Sequence, residues 1–180
     1  MRKKITTTFV IMICALVIFS FLDLNQKCKV ESMLLKKGDF PQHTLVDDIR
    51  SPIAEMPDES AGFTATYGRS LIYYEASRFP GTVSAEKEFA NEKRRASVLT
   101  EYSGPWETPP ELSHKSSIFK NYYVACGKII NMGYQCRMIG QYDEYYVFFF
   151  AYISNEGMTY NIFNNLLQTI DLRAEQCLKK

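Results

Sequence analysis

Ser103 and His114 are the side chains of this 180-residue chain that come nearest to a hydrolytic pair, a hydroxyl and an imidazole that a third group would have to orient. The surrounding sequence does not develop the pair. Gly-x-Ser-x-Gly is absent, since Ser103-Gly104 and Gly68-Arg69-Ser70 each lack part of it. His114 stands in Ser113-His114-Lys115-Ser116, a polar stretch that reads as loop surface. Adjacent carboxylates at Asp47-Asp48 and Asp143-Glu144 diverge on a strand or turn, so neither makes an acid/base pair. The nine glycines never take the dinucleotide or Walker spacing that cradles phosphates. No catalytic residue is assigned and no cofactor is expected. A hydrolase whose site is assembled around His114 and Ser103 remains the rival reading.

Cysteine is the other reactive type. Cys14 lies within an uncharged run, which leaves Cys28, Cys126, Cys136 and Cys177, an even number that suits disulfides in an oxidising compartment. Cys126 and Cys136 flank a short connection between two strand-like runs, where an antiparallel pairing would bring their Cβ atoms together. Cys28 and Cys177 would then tie the two ends of the domain. With no Cys-x-x-Cys, and with His43 and His114 far apart, metal-ligand spacing is missing and no metal is expected.

Contact chemistry is better represented. Twelve tyrosines include the doublets Tyr73-Tyr74, Tyr122-Tyr123 and Tyr145-Tyr146, each of which sends one ring to either face of a sheet. Trp106, the single tryptophan, sits in the proline-rich TEYSGPWETPPELSH loop together with Tyr102 and His114. These three are the candidate partner-binding residues.

Residues 5–22 carry no charge and as a helix would reach roughly 27 Å, close to the ~30 Å hydrocarbon thickness. Arg2, Lys3 and Lys4 precede the run, so the remainder is expected outside. The exit, Ser20-Phe21-Leu22-Asp23, lacks a small-x-small cleavage pattern, and no small residue precedes Cys14 or Cys28 as in a lipoprotein leader. An uncleaved anchor is favoured over a cleaved signal peptide. Residues 23–180 hold 18 basic and 20 acidic side chains, a net of −2, which argues against nucleic acid as a partner. Lys93-Arg94-Arg95 reads as a solvated helix face.

The elements that must position these residues follow from periodicity. Residues 1–24 are the anchor or signal peptide, 25–60 a linker and entry segment, and 61–180 an extracytoplasmic α+β domain. Its order is strand, strand, helix, then three strands and a closing helix. In the first helix Ala85, Phe89, Ala96 and Leu99 share a face, with Glu86, Glu92, Lys93 and Arg94 placed away from it and Thr82 or Ser84 as cap. In the last, Phe163, Leu166, Leu167, Ile170 and Ala174 form the stripe and Thr159 the cap. The all-apolar Tyr145–Ile153 run predicts a central strand covered on both sides. Together these give an antiparallel sheet of about five strands with two main helices packed on it.

Gly38-Asp39-Phe40-Pro41, the LIYYEASRF run at 71–79 and the closing YYVFFFAYISNEGMTYNIFNNLLQTID at 145–171 resemble exported bacterial proteins of the PsbP/Mog1/LpqN-like α/β-sandwich type, over about residues 33–175. The resemblance implies that fold and a role as an accessory, assembly or ligand-presenting module. It brings no catalytic residues. The expected protein is a membrane-tethered extracytoplasmic binding or accessory domain. Its partners would be the membrane, through the N-terminal segment, and an unknown protein or small ligand. A purely structural envelope protein is a further alternative.

Overall fold

Alternating side chains and β-branched or aromatic residues favour extended backbone from Glu59 onward, and the hairpin pattern closes a single antiparallel sheet. A computed structural model of the chain describes residues 27–47, 57–103 and 105–179, with the side chains of 97–103 left aside. The expected anchor over residues 1–24 lies outside these. Among the described residues no helix is long and apolar enough to cross a membrane.

The strands are β1 (Leu45–Val46), β2 (Glu59–Tyr67), β3 (Ser70–Arg78), β4 (Asn121–Ile129), β5 (Gly133–Tyr142) and β6 (Tyr145–Tyr152), in the spatial order β1-β2-β3-β6-β5-β4. All pairings are antiparallel. Helix α1 (Thr82–Ser103) carries the chain from β3 to the far edge, over β4, β5 and β6, and α2 (Tyr160–Leu178) follows β6. β6 therefore lies between β3 and β5, as its uninterrupted apolar sequence predicts.

Pleating separates two cores. Tyr74, Val147 and Phe149 pack with Phe163, Leu166 and Leu167 of α2, and the Phe149 and Phe163 rings stack at 5.0 Å. Tyr73, Tyr146 and Phe148 pack on the other side with Ala85 and Phe89 of α1. The tyrosine doublets of β3 and β6 thus split between the faces as expected. Thr159 caps α2, its hydroxyl accepting the Ile162 amide at 3.3 Å. Helix α1 opens instead on the Gly81 carbonyl, which accepts the amides of Ser84 and Ala85, and Thr82 and Ser84 are already helical.

Three expectations change. The sheet has six strands, because β1 adds Leu45 and Val46 alongside Thr66 and Ala65. The stretch 25–60 is more than an entry linker. Two 3-10 turns form there, Val30–Met33 and Lys37–Asp39; Val30 and Met33 of the first, and Leu35 and Phe40 beside the second, are buried in the α2-side core, and β2 begins at Glu59. Glu92 faces inward and is 3 % exposed. The helical period requires this, since Glu92 lies seven residues after Ala85 and four before Ala96, on their stripe.

Close approach makes glycine necessary at two sheet positions. A Cβ at Gly140 would meet the Phe119 ring at 2.7 Å, and one at Gly127 would meet the Trp106 indole at 2.6 Å. Each ring lies on the bare backbone. Gly140→Val is expected to destabilise the domain by about 1–3 kcal/mol through overpacking. Urea unfolding checks this, and adding Phe119→Ala should recover part of the loss by making room.

Candidate functional site

His114 and Trp106 come from one loop region, but the fold places them on opposite faces of the sheet. The 105–120 segment wraps the β4 edge. Glu107 and Cys126 exchange amide bonds at 3.0 and 2.8 Å, and the Thr108 hydroxyl donates to the Val124 carbonyl at 2.7 Å. Trp106 lies half-buried on Gly127, on the α1 side, and the Arg137 guanidinium sits 5.0 Å from its ring centroid. Burial pushes the Arg137 pKa down, and its Nε donates to Gln135 Oε1 at 2.6 Å. His114 lies on the opposite face, against α2, its ring edge-on to Tyr122. Tyr102 falls in the last turn of α1, and its side chain is outside the described residues.

Near His114 the residue types of a triad do meet, in an order that suits fastening. Ser116 Oγ donates to Asp171 Oδ1 at 2.6 Å and accepts the amides of Ile118 and Phe119. The Ser117 amide donates to Asp171 Oδ2 at 3.1 Å, and the His114 amide to Asn164 Oδ1 at 3.1 Å. His114 Nε2 approaches Asp171 Oδ2 at 3.3 Å without hydrogen-bond alignment. A nucleophile–base pair needs the hydroxyl on the imidazole, whereas here the hydroxyl donates its hydrogen bond to the carboxylate. The arrangement clamps the 114–119 loop to α2.

Beneath α1 a second polar set occupies the other core. Glu75, fully buried on β3, accepts the Tyr73 hydroxyl at 2.6 Å and the Ser77 hydroxyl at 2.8 Å, with Ser60 Oγ at 3.5 Å. Glu88 and Glu92 of α1 are buried as well, and Glu92 pairs with Arg95. Burial, and then the charges of Glu92, Glu88 and Glu75, hold the Tyr146 phenol well above its ordinary pKa, so it stays protonated. Among the described residues no cluster could hold a metal ion. Hydroxyls of β2 and β3 satisfy Glu75, and Arg95 of the same helix pairs with Glu92.

A further concavity lies at neither place. Where the chain enters, Cys28 is bonded to Cys177 near the end of α2, with Cα atoms 5.3 Å apart. Around this bridge is a cleft of about 440 Å³ lined by Lys27, Lys29, Lys36 and Arg173 among others. Arg173 grips Asp39 with two bonds of 2.8 Å, from Nε and Nη2, and the Lys36 amide adds a third to Asp39 at 2.6 Å. Lys27 pairs with Glu144 at 2.9 Å, and that hydrogen bond holds the Glu144 carboxyl below the usual carboxylate range. Lys29 and Lys36 are exposed and have no carboxylate partner among the described residues. The cleft was not legible in the sequence. Its lysines fall in 27–36 and its arginine at 173, and long-range contacts bring them together, the Cys28–Cys177 bond, left open by spacing, and the Arg173–Asp39 pair among them. The Cys126–Cys136 bond forms as expected, between residues directly opposite on β4 and β5.

No protein-family model matches the chain, so the PsbP/Mog1/LpqN resemblance is not confirmed. No curated protein matches it either. Among solved structures, the crystal structure of the extracellular domain of PknH from Mycobacterium tuberculosis aligns with a TM-score of 0.48 at 10% identity, covering 84% of this chain and 95% of that one.

Proposed function

We propose that this chain is a membrane-tethered, extracytoplasmic binding or accessory domain that acts by contact and without catalytic chemistry. The observation that carries the reading is the pairing of all four cysteines beyond the apolar run, as Cys28–Cys177 and Cys126–Cys136. Such bonds persist in oxidising compartments and are rare in reducing ones. The uncharged run at 5–22 behind Arg2, Lys3 and Lys4 supports export and retention at the membrane. The bonds that Ser116 and Ser117 make to Asp171 support a fastening role for the loop around His114, while the side chain of Ser103 lies outside the described residues.

Fractionation of a bacterial host making the full chain tests this reading. The polypeptide is expected in the membrane fraction after alkaline carbonate washing, digestible by protease added to spheroplasts. Thiol alkylation before and after reduction should release four additional cysteines. Recovery of a cytosolic polypeptide with those thiols already free would overturn the proposal.

A further inference from the structure

Positive charge at the mouth of the Cys28–Cys177 cleft is only partly answered among the described residues. Of its four lining cations, Lys27 is neutralised by Glu144 and Arg173 by Asp39, which leaves Lys29 and Lys36, about +2 over the lining residues and their partners, with exposed Glu31 nearby in the chain. The domain as a whole tends the other way, with 18 basic against 20 acidic side chains over 23–180. The cleft is therefore a local exception to the surface. The negative end of the α2 dipole lies nearby and works against an anion, but it amounts to roughly half a charge and does not reverse the sign.

Position adds to charge. The uncharged run ends at Leu22, five residues before Lys27, and five residues span at most about 18 Å. Whatever holds Leu22 at a bilayer keeps the cleft within reach of the lipid headgroups. The disulfide adds rigidity, fixing the Lys27–Lys29 backbone to α2 while Arg173 fixes the Lys36–Asp39 turn to the same helix. The lysines thus stand on a braced frame, and ammonium groups on flexible stems suit the compact charge of a phosphate group.

We infer that the cleft at the Cys28–Cys177 bridge binds a phosphate group, held by Lys29 and Lys36, with the headgroup of an anionic phospholipid as its source. The lipid source rests on the membrane-tethered reading; the phosphate chemistry does not. Bound there, a headgroup would set the orientation of the domain on its membrane, with α2 ending toward the lipid.

The test uses the full-length chain in neutral detergent, with amide shifts of Lys29, Ser32, Lys36 and Gln176 as the readout. Inorganic phosphate forms one arm, and dihexanoyl phosphatidylglycerol against dihexanoyl phosphatidylcholine the other. Saturable shifts with phosphate are expected, with tighter binding of the glycerol lipid than of the choline lipid, both weakening as salt rises. Lys29→Gln with Lys36→Gln should weaken binding about tenfold or more while the non-reduced mass shows both disulfides intact. Lys87→Gln with Lys115→Gln, exposed lysines away from the cleft, should bind as wild type. Shifts with phosphate and no preference for the glycerol lipid would retain the site and reject its lipid source. Absence of saturable shifts in both arms, or equal binding by the Lys29/Lys36 variant, would overturn the inference. Because detergent replaces the bilayer, a failed tether shows in fractionation and leaves the phosphate arm readable.

Discussion

Replacing Cys28 and Cys177 together with serine is expected to lower stability by about 5 kcal/mol, roughly twice the loss of about 2.7 kcal/mol expected for Cys126 and Cys136. The order follows from loop length, since the first bond spans a sequence separation of 149 and the second a separation of 10. Cross-linking near the two ends restricts the unfolded chain far more than closing a hairpin does. The entry segment retains other contacts, including the Tyr145 hydroxyl on the Cys28 carbonyl at 3.0 Å and the Val30 amide on Glu59 at 3.1 Å. Those bonds should keep the fold recognisable while its margin shrinks, against a usual total of about 5–15 kcal/mol. Urea midpoints of the two double-serine variants measure the comparison. Equal losses, or the greater loss at Cys126–Cys136, would contradict it.

Arg173→Ala should cost about 3–5 kcal/mol. Both partners of the Arg173–Asp39 pair are 16 % exposed, so removal of the guanidinium strands a largely desolvated carboxylate that keeps only the Lys36 amide. Tyr74 feels the same change. Its hydroxyl donates to the Met33 carbonyl at 2.9 Å, within the field of both charges. Arg173→Lys should be intermediate, because an ammonium keeps the charge and loses the two-pronged contact. Replacing both members, as Asp39→Leu with Arg173→Met, should recover most of the loss, since an apolar pair leaves no buried charge unanswered. The readout is a double-mutant cycle in urea. A coupling energy near zero would show that the pair contributes little to holding the entry turn.

What could be read ahead of the structure was whatever declares itself over a few residues. The β5–β6 hairpin follows from a two-residue link at Asp143-Glu144, and the α2 stripe from the spacing of Phe163, Leu166, Leu167, Ile170 and Ala174. Cys126 and Cys136 are opposite one another for the same local reason. Glu92 was also within reach, because its offsets from Ala85 and Ala96 place it on their face; its charge obscured that. The entry segment could not be read in this way. Val30 and Met33 are buried by residues far along the chain, and β1 exists only because Thr66 and Ala65 lie beside it. The cleft is harder still, since it consists of side chains from both ends that a sulfur bridge collects. Trp106 and His114 illustrate the reverse difficulty. Neighbours in sequence, Trp106 and His114 are parted by the thickness of the sheet.

The bridge at Cys28 also decides how the domain would bear mechanical load. Tension applied through the N-terminal segment reaches Cys28 and passes covalently into α2 near its end, before it can act on β1 or β2. Strands that would otherwise peel apart one after another are shielded, and the pull falls on a helix laid across them. Cutting that link by reduction would redirect the same pull into the entry turns and the sheet edge.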